Sequence, residues 1–447
     1  MLEAPARRQV FGVDPGTWWM LFVLWLLYAV SFLERYIVTM LVDPIKGDLG
    51  LSDLQMGLIL GPAFAVTYAL ATLPFGWAAD RFSRRAVIVM GVTIWSLSTM
   101  GAGISRSFTG LFATRVGVGI GEAALTPSAY ALISDSFPQK RLTLAFAIFQ
   151  TAVKVGSALA FVVGGALLVW ATAHGQFAVG GLVLAPWQVV MVLAGLPSFL
   201  LVFLLFTFRV PKRLAIKDPS APQEALLPFL RERKRLMSLI VLGFTFISVC
   251  PSALTLWVPT FISRNYGWTP MQYGTALGVI SLLAGVTVVV KGALVDWLFA
   301  RGMRDAHLRF YCWLLAGTFP LAISAFFMPD ARLFLAMYAV LQIVVVPFTF
   351  YVNAVLSIIV PQHLRGRIFA GLLLSYSFVG GAIGPVVVGF LTDNVFGYEA
   401  AVGRSLAVTL GVCMPAAFIC LWASLGELRR IVAATDDPET SRKSELT

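Results

Sequence analysis

The stretch VGSALAFVVGGALLVWATAHGQFAVGGLVLAPWQVVMVLAGLPSFLLVFLLFTF, residues 155–208, contains no Asp, Glu, Lys or Arg in 54 consecutive positions. One helical crossing of a bilayer takes about 20 apolar residues, so this stretch predicts two spans joined by an uncharged loop. The whole 447-residue chain is 59% hydrophobic and only 12% charged, where a soluble domain has about 25% charged residues. Outer-membrane β-barrels show short alternating segments instead, so the sequence predicts an all-α polytopic membrane protein.

Apolar windows bounded by charged residues or by Pro/Gly clusters predict twelve transmembrane helices. These windows, numbered here as spans 1–12, cover residues 18–42, 55–79, 86–105, 109–134, 142–170, 186–208, 237–262, 272–299, 309–328, 333–359, 368–392 and 404–427. Landmarks recur at a nearly constant offset: Gly156 in span 5 matches Gly380 in span 11, and Pro138 after span 4 matches Pro361 after span 10. The recurrence predicts two six-helix pseudo-repeats related about an axis along the membrane normal.

The basic residues predict the orientation of these spans. Of the 33 Lys and Arg residues, 24 lie in the termini and the even-numbered connections, 5 in the odd-numbered connections and 4 inside spans. Because basic residues are in excess on the cytoplasmic side, both termini are expected there, in a multi-pass protein of the plasma (bacterial inner) membrane. The net charge of +11 then needs no nucleic-acid partner. The predicted domains are an N-terminal half (1–209), a cytoplasmic linker (210–236), a C-terminal half (237–428) and a cytoplasmic tail (429–447).

Four ionisable side chains are predicted to lie within the membrane in the first half: Glu34 and Arg35 in span 1, and Arg115 and Glu122 in span 4. Each costs about 2.5–3.5 kcal/mol on insertion scales, which favours a functional role over a static structural ion-pair network, the alternative. From their depths we expect Glu34 to neutralise Arg115, while Glu122 and Arg35 share a deeper cavity. Burial disfavours the charged form of a carboxyl group, so a buried glutamate can exchange a proton near neutral pH. Arginine stays charged and can bind an anionic headgroup bidentately.

Other polar and aromatic residues within the spans are candidates for the wall of a substrate path, although each is equally consistent with ordinary helix packing. They are Lys154, Tyr68, Trp257, Tyr351, Asn353 and Tyr376. The chain has no nucleotide-binding GxxxxGK[ST] loop, no metal-type cysteine spacing and no clustered acid/base set at an interface. We therefore expect no enzyme activity, no metal and no cofactor, with the proton as the coupling ion.

The segment Gly76-Trp-Ala-Ala-Asp80-Arg81-Phe-Ser-Arg84-Arg85 lies between spans 2 and 3. It resembles the loop signature of the major facilitator superfamily, and this resemblance implies the major facilitator fold and a cytoplasmic gate that forms when the cavity opens outward. Gly at position 76 is expected to permit close helix contact. The implied gate residues, including partners after span 4 and a degraded second copy, are Asp80, Arg81, Arg84, Arg85, Asp135, Arg141, Asp296 and Arg301. The alternative is that the arginines only enforce topology.

The first half resembles the Spinster family of lipid transporters more specifically. The resemblance is carried by residues 51–57 (LSDLQMG), 68–76 (YALATLPFG), 95–99 (WSLST) and 115–127 (RVGVGIGEAALTP). It implies a secondary active transporter, here expected to be a monomer, that moves an anionic amphiphile of lysophospholipid or sphingosine-phosphate type by alternating access. A drug/proton antiporter or an organic-anion/proton transporter of the same superfamily is the close alternative. A non-transporting membrane sensor or scaffold is the alternative from another class.

Overall fold

The computed structural model describes residues 13–179, 181–210, 226–303, 305–345, 348–360 and 362–435. Most of the predicted linker and most of the predicted tail lie outside the described residues. Within them, eleven helices are long and apolar enough to cross a membrane, and a shorter apolar helix, Ala331–Val344, lies in the region of span 10. The prediction of a twelve-helix membrane protein is confirmed.

Spans 1–6 correspond to the helices Pro15–Ile37, Asp53–Leu60 with Pro62–Arg81, Arg84–Ala102, Phe108–Glu122 with Leu125–Ser136, Gln139–His174, and Pro186–Leu201. Spans 7–12 correspond to Lys234–Tyr266, Pro270–Ala300, Ala306–Ser324, Ala331–Val344 with Phe348–Ile359, Gln362–Phe390, and Val402–Thr435. Two short helices, Val42–Leu49 and Leu226–Glu232, lie outside the spans. The remaining helical segments are the 3-10 turns Val38–Met40, Val202–Phe206, Ala325–Phe327 and Glu399–Ala401, and the π-helix Leu391–Phe396.

The helical breaks within spans 2 and 4 have local causes. In span 2 the second helix begins at Pro62, whose missing N–H and fixed φ suit the first helical position but not a helix interior. In span 4 the first helix ends at Glu122, and the amide of Ala124 bonds the carbonyl of Gly121 in a tighter 3-10 pattern. The second break therefore places Glu122 at a helix end inside the membrane region.

The connection between spans 5 and 6 carries an element that the sequence did not predict. Strands β1 (Phe177–Val179) and β2 (Leu182–Leu184) pair as an antiparallel hairpin, with Phe177 opposite Leu184. Gly181 beside the turn has φ +83°, which glycine adopts without steric cost. The expected uncharged loop is thus a small hairpin attached to an otherwise helical fold.

The two halves repeat the same helix packing. Span 1 packs on span 5 and span 3 on span 6, while span 7 packs on span 11 and span 9 on span 12. A Cβ at Gly156 in span 5 would overlap the carbonyl oxygen of Ala29 in span 1, and one at Gly380 in span 11 would lie 2.7 Å from the carbonyl oxygen of Ser248 in span 7. The matched glycines thus mark equivalent close helix crossings, which is the packing expected of two six-helix pseudo-repeats.

The described residues form two compact units. Those within Met1–Pro219 and Trp268–Leu282 form the first unit, and those within Ser220–Gly267 and Leu283–Thr447 form the second. The first unit therefore includes the beginning of span 8, where Gly274 packs against the carbonyl of Phe161 in span 5.

Candidate functional site

Arg35 and Glu122 form an ion pair in the first unit. The Nε of Arg35 donates to Oε2 of Glu122 over 3.1 Å, and Nη2 of Arg35 contacts the same oxygen. The side chain of Arg35 is 17% exposed, whereas that of Glu122 is 1% exposed. The pair thus has one member that solvent or a ligand can reach and one that is shielded.

Aromatic rings surround the charged end of Arg35. Its guanidinium carbon lies 4.4 Å from the ring centroids of Phe32 and Phe64 and 5.2 Å from that of Tyr68. These distances lie within the range of cation–π attraction. Tyr68, one of the candidate cavity residues, is held in turn by a 3.3 Å contact between its hydroxyl and that of Thr126. The rings fix the position of the guanidinium and offer an apolar surface beside it.

The carboxyl group of Glu122 is only half satisfied. Oε2 accepts from Arg35, but Oε1 is buried and has no hydrogen-bond partner among the described residues. A buried oxygen without a partner carries an energetic cost, which a proton or a ligand at that oxygen would relieve. Oε1 of Glu122 is therefore the free position of the pair.

Arg115 does not pair with Glu34, contrary to our expectation from the sequence. Nη2 of Arg115 makes a long contact of 3.4 Å with the backbone carbonyl of Arg35, and its guanidinium carbon lies 5.5 Å from the ring centroid of Phe64. Nε and Nη1 of Arg115 have no hydrogen-bond partner in the described part of the chain. Arg115 is thus a second buried cation, without a direct anionic partner among the residues that the structure describes.

Glu34 lies in a different environment from Arg35. Its side chain is fully buried near Trp95 and Thr99 of span 3 and Ser198 of span 6, and neither carboxyl oxygen has a hydrogen bond with a described residue. The hydroxyls of Thr99 and Ser198 donate instead to backbone carbonyls at 3.0 Å. Successive residues on a helix point about 100° apart, which is why Glu34 and Arg35 leave span 1 in different directions.

The residues around Glu34 were absent from our predicted site. Trp95 and Thr99 are four residues apart and so share one face of span 3. Their polar groups at that spacing are a signal in the sequence, but nothing in the sequence links that face to Glu34. Lys154, a predicted cavity residue of span 5, is partly buried and has no hydrogen bond or ion pair in the described residues.

The cavity candidates of the second unit divide into two kinds. Trp257 and Tyr351 are fully buried and pack helices together: the indole of Trp257 donates to the carbonyl of Pro385 over 3.0 Å, and the Tyr351 ring packs 4.6 Å from that of Tyr311. Neither presents a surface to a cavity in this structure.

The other two candidates are accessible. Asn353 is exposed, and Tyr376 is partly buried edge-on against Phe348, with ring centroids 5.5 Å apart. Of the four candidates in this unit, Asn353 and Tyr376 are therefore the two with accessible side chains.

Two arginines of the loop after span 2, both predicted gate residues, contact other helices of the first unit. Arg84 forms an ion pair with Asp135 and donates to the carbonyl of Ala131 over 3.2 Å, which ties the start of span 3 to the end of span 4. Arg85 donates to the carbonyl of Phe208 at the end of span 6. Both arginines therefore join helices within the first unit.

The remaining residues of the predicted gate are more open. Asp80 and Arg81 are exposed, with Arg81 stacked on Trp77 at 4.8 Å, and Arg141 is partly buried. Gly76 was expected to permit close helix contact, but a Cβ there would meet no described atom within 4 Å. That expectation is wrong for this structure.

The second copy of the loop keeps one feature of the first. Arg301 stacks on Trp297 at 3.8 Å, so here too an arginine covers the tryptophan four residues before it, although this pair lies four residues later relative to Asp296 than Trp77 and Arg81 lie relative to Asp80. Asp296 is exposed and lies 3.7 Å from Nε2 of His307.

Known proteins provide an independent comparison. Residues 24–385 match the family model of the Major Facilitator Superfamily. The chain is 30% identical to an MFS-type efflux pump of Mycolicibacterium smegmatis over 91% of its length and 92% of that protein. It is 25% identical to a probable L-galactonate transporter of Escherichia coli, over 83% of this chain and 82% of that one.

The fold also resembles a solved crystal structure, that of a bacterial homolog of the human lysosomal transporter Spinster in an inward-facing and unoccupied conformation. That structure matches with a TM-score of 0.77 and 25% sequence identity, covering 94% of this chain and 98% of the other. The resemblance to Spinster transporters that the first half indicated is confirmed.

Proposed function

Because this chain belongs to the Major Facilitator Superfamily, whose fold and family are those of transporters and not of enzymes, we propose that it moves an anionic, amphiphilic, lipid-like substrate. The substrate is of the lysophospholipid or sphingosine-phosphate type, and transport proceeds by alternating access coupled to protons. The proposal includes a monomer in the bacterial inner membrane with both termini cytoplasmic. The observation that carries it is the buried Arg35–Glu122 pair, with its one accessible cation and its one free carboxyl oxygen.

Arg35 is suited to bind the anionic headgroup. A guanidinium presents several N–H donors in a plane that matches phosphate or carboxylate, and it stays charged at every physiological pH. The aromatic faces of Phe32, Phe64 and Tyr68 leave apolar surface directly beside that headgroup for the start of an acyl chain. An amphiphile therefore finds both of its chemical parts complemented around one side chain.

Glu122 is suited to couple the binding of a proton to the binding of the substrate. A proton added at Oε1 removes the negative charge that holds Arg35, and Arg35 is then free to bind a substrate anion. When the substrate leaves, loss of the proton restores the Arg35–Glu122 pair. Proton and substrate thus bind together because each favours the separation of the same pair.

Uptake of a labelled lysophospholipid into proteoliposomes under an imposed pH gradient tests the coupling. We expect Glu122→Gln to abolish the dependence of uptake on the gradient, and Arg35→Ala to abolish uptake. Asp53→Asn is the matched control. Asp53 is a buried carboxylate paired with Lys46 at 3.0 Å, about 16 Å along span 2 from Phe64. If Glu122→Gln and Arg35→Ala both keep wild-type gradient-dependent uptake, the proposed coupling site is wrong.

Two related substrate classes have support among the relatives, since one is named an efflux pump and another a probable L-galactonate transporter. Competition for lysophospholipid uptake by a hexonate and by a lipophilic cation separates the three classes. We expect lysophospholipids to compete at the lowest concentration, the hexonate weakly and the cation not at all. Transport of a lipophilic cation that persists in Arg35→Ala would instead identify a drug/proton antiporter.

A further inference from the structure

A cavity of about 580 Å³ is lined by residues of the second unit. It is formed where span 7 begins, span 10 ends and span 11 begins, which is the predicted cytoplasmic side. Its walls are mostly aliphatic, and Met237, Val241, Leu356 and Leu372 contribute to them. The volume falls within the roughly 300–1,000 Å³ that is typical of small-molecule sites.

Among the described residues that line this apolar cavity, one is cationic. Lys234 is the first residue of the span 7 helix, is exposed, and has neither a hydrogen bond nor an ion pair with any described residue. Its basic neighbours are occupied: Arg233 donates to the carbonyl of Ile359 over 2.8 Å, and Arg235 pairs with Glu427 at 3.3 Å. Lys234 is therefore an uncommitted positive charge at the cavity wall.

The two properties together define the chemistry of the occupant. An aliphatic wall favours an acyl chain, and an uncommitted ammonium group favours an anionic headgroup attached to it. Basic pockets between transmembrane helices on the cytoplasmic side bind acidic lipid headgroups, because the lipids of that leaflet carry negative charge. We propose that this cavity binds a resident membrane phospholipid with an anionic headgroup, which bridges spans 7, 10 and 11.

The cavity and the proposed transport site share no described residue. The described lining residues belong to the second unit, whereas Arg35, Glu122 and the rings around them belong to the first. The lipid is accordingly a structural ligand of the transporter and not its cargo.

A larger side chain at Gly371 would fill part of the cavity. It lines the cavity, and a Cβ at this position would meet no described atom within 4 Å. Gly371→Leu therefore fills the space of the acyl chain without a clash in the protein. Gly426 is a matched exposed helical glycine outside the cavity that also has open space around it, so Gly426→Leu is its control.

The experiment measures binding of spin-labelled phosphatidylglycerol and phosphatidylcholine to the purified full-length protein in detergent. We expect wild type to prefer phosphatidylglycerol about tenfold. Lys234→Gln should lower that preference at least threefold, and Gly371→Leu should lower the binding of both lipids at least threefold. Lys140→Gln removes an exposed lysine at the start of the span 5 helix and should leave the preference unchanged.

Three results would overturn the proposal. They are an equal loss of preference in Lys234→Gln and Lys140→Gln, an equal loss of binding in Gly371→Leu and Gly426→Leu, and a loss of phosphatidylglycerol binding in Arg35→Ala. The last result would place the bound lipid at the transport site. A failure of lysophospholipid uptake alone would contradict the proposed function and leave this site standing.

Discussion

Substitution by Gln should change the free energy of unfolding by very different amounts at the two buried glutamates, Glu34 of span 1 and Glu122 of span 4. Glu122 holds the positive charge of Arg35, whereas Glu34 has neither a counter-ion nor a hydrogen bond in the described structure. An ionised carboxylate in the position of Glu34 would be far costlier than a neutral carboxylic acid, so we expect Glu34 to be uncharged at neutral pH. Glu34→Gln then replaces one neutral polar group by another of nearly the same shape.

The expected changes in the free energy of unfolding follow from this difference in environment. Removal of one member of a buried ion pair costs about 3–5 kcal/mol because the other charge stays buried without compensation. We expect Glu122→Gln to lower the free energy of unfolding toward the lower end of that range, since Arg35 keeps its aromatic neighbours and some exposure. Glu34→Gln should change it by less than about 1 kcal/mol. The double variant Arg35→Gln/Glu122→Gln should recover much of the loss, because a neutral pair has no buried charge to compensate.

The assay is equilibrium unfolding of wild type, the three single variants and the double variant in identical detergent at one pH, monitored by tryptophan fluorescence. The interaction free energy of Arg35 and Glu122 comes from the double-mutant cycle completed by Arg35→Gln. Equal destabilisation by Glu34→Gln and Glu122→Gln, or additive effects within the cycle, would refute the assignment of the charges made here.

Two further changes test the helix contacts. Arg84→Gln removes the ion pair with Asp135 and the bond to Ala131. We expect it to lower the free energy of unfolding by about 1.5–3 kcal/mol and to slow lysophospholipid uptake. The control is Arg81→Gln, which removes a stacking contact with exposed Trp77 and should change the free energy of unfolding by less than about 1 kcal/mol. Equal effects of the two would contradict a role for Arg84 in joining spans 3 and 4. Gly156→Ala forces a methyl group onto the carbonyl of Ala29 and should lower the free energy of unfolding by about 1–3 kcal/mol. Gly76→Ala, at a position with open space around it, should leave that free energy unchanged. A Gly156→Ala protein as stable as wild type would show that spans 1 and 5 separate at little cost.

The number and order of the helices could be predicted from the sequence because membrane insertion depends on the length of each apolar window. The breaks within spans could be predicted less well. The break at Pro62 has a local cause in the missing N–H, but the break after Glu122 falls in an Ala-Ala pair that favours helix. The hairpin Phe177–Leu184 escaped prediction because six residues of strand leave too little alternation to detect.

The pairing of the buried charges shows a second limit. Depth along the membrane follows from residue counting, which placed Arg115 level with Glu34 and Arg35 and put Glu122 deeper, whereas in the structure Glu122 pairs with Arg35. The direction of a side chain around its helix depends on how the helices pack, which no local pattern records. Depth alone therefore gave Glu34 a partner in Arg115, whereas packing turned Glu34 toward Trp95, Thr99 and Ser198.

The net charge of the buried cluster determines which ligands it attracts. With Glu34 expected to be uncharged, Arg35, Arg115 and Glu122 together hold one more positive than negative charge. Protonation of Glu122 increases that excess by one, which strengthens attraction for an anion in a region of low dielectric constant. A zwitterionic lysophospholipid brings a compensating cation of its own and gains less from the same site. An anionic lysophospholipid should therefore outcompete a zwitterionic one of equal chain length in the uptake assay, and by a larger factor at low pH, because the proton on Glu122 and the anion on Arg35 satisfy the cluster together.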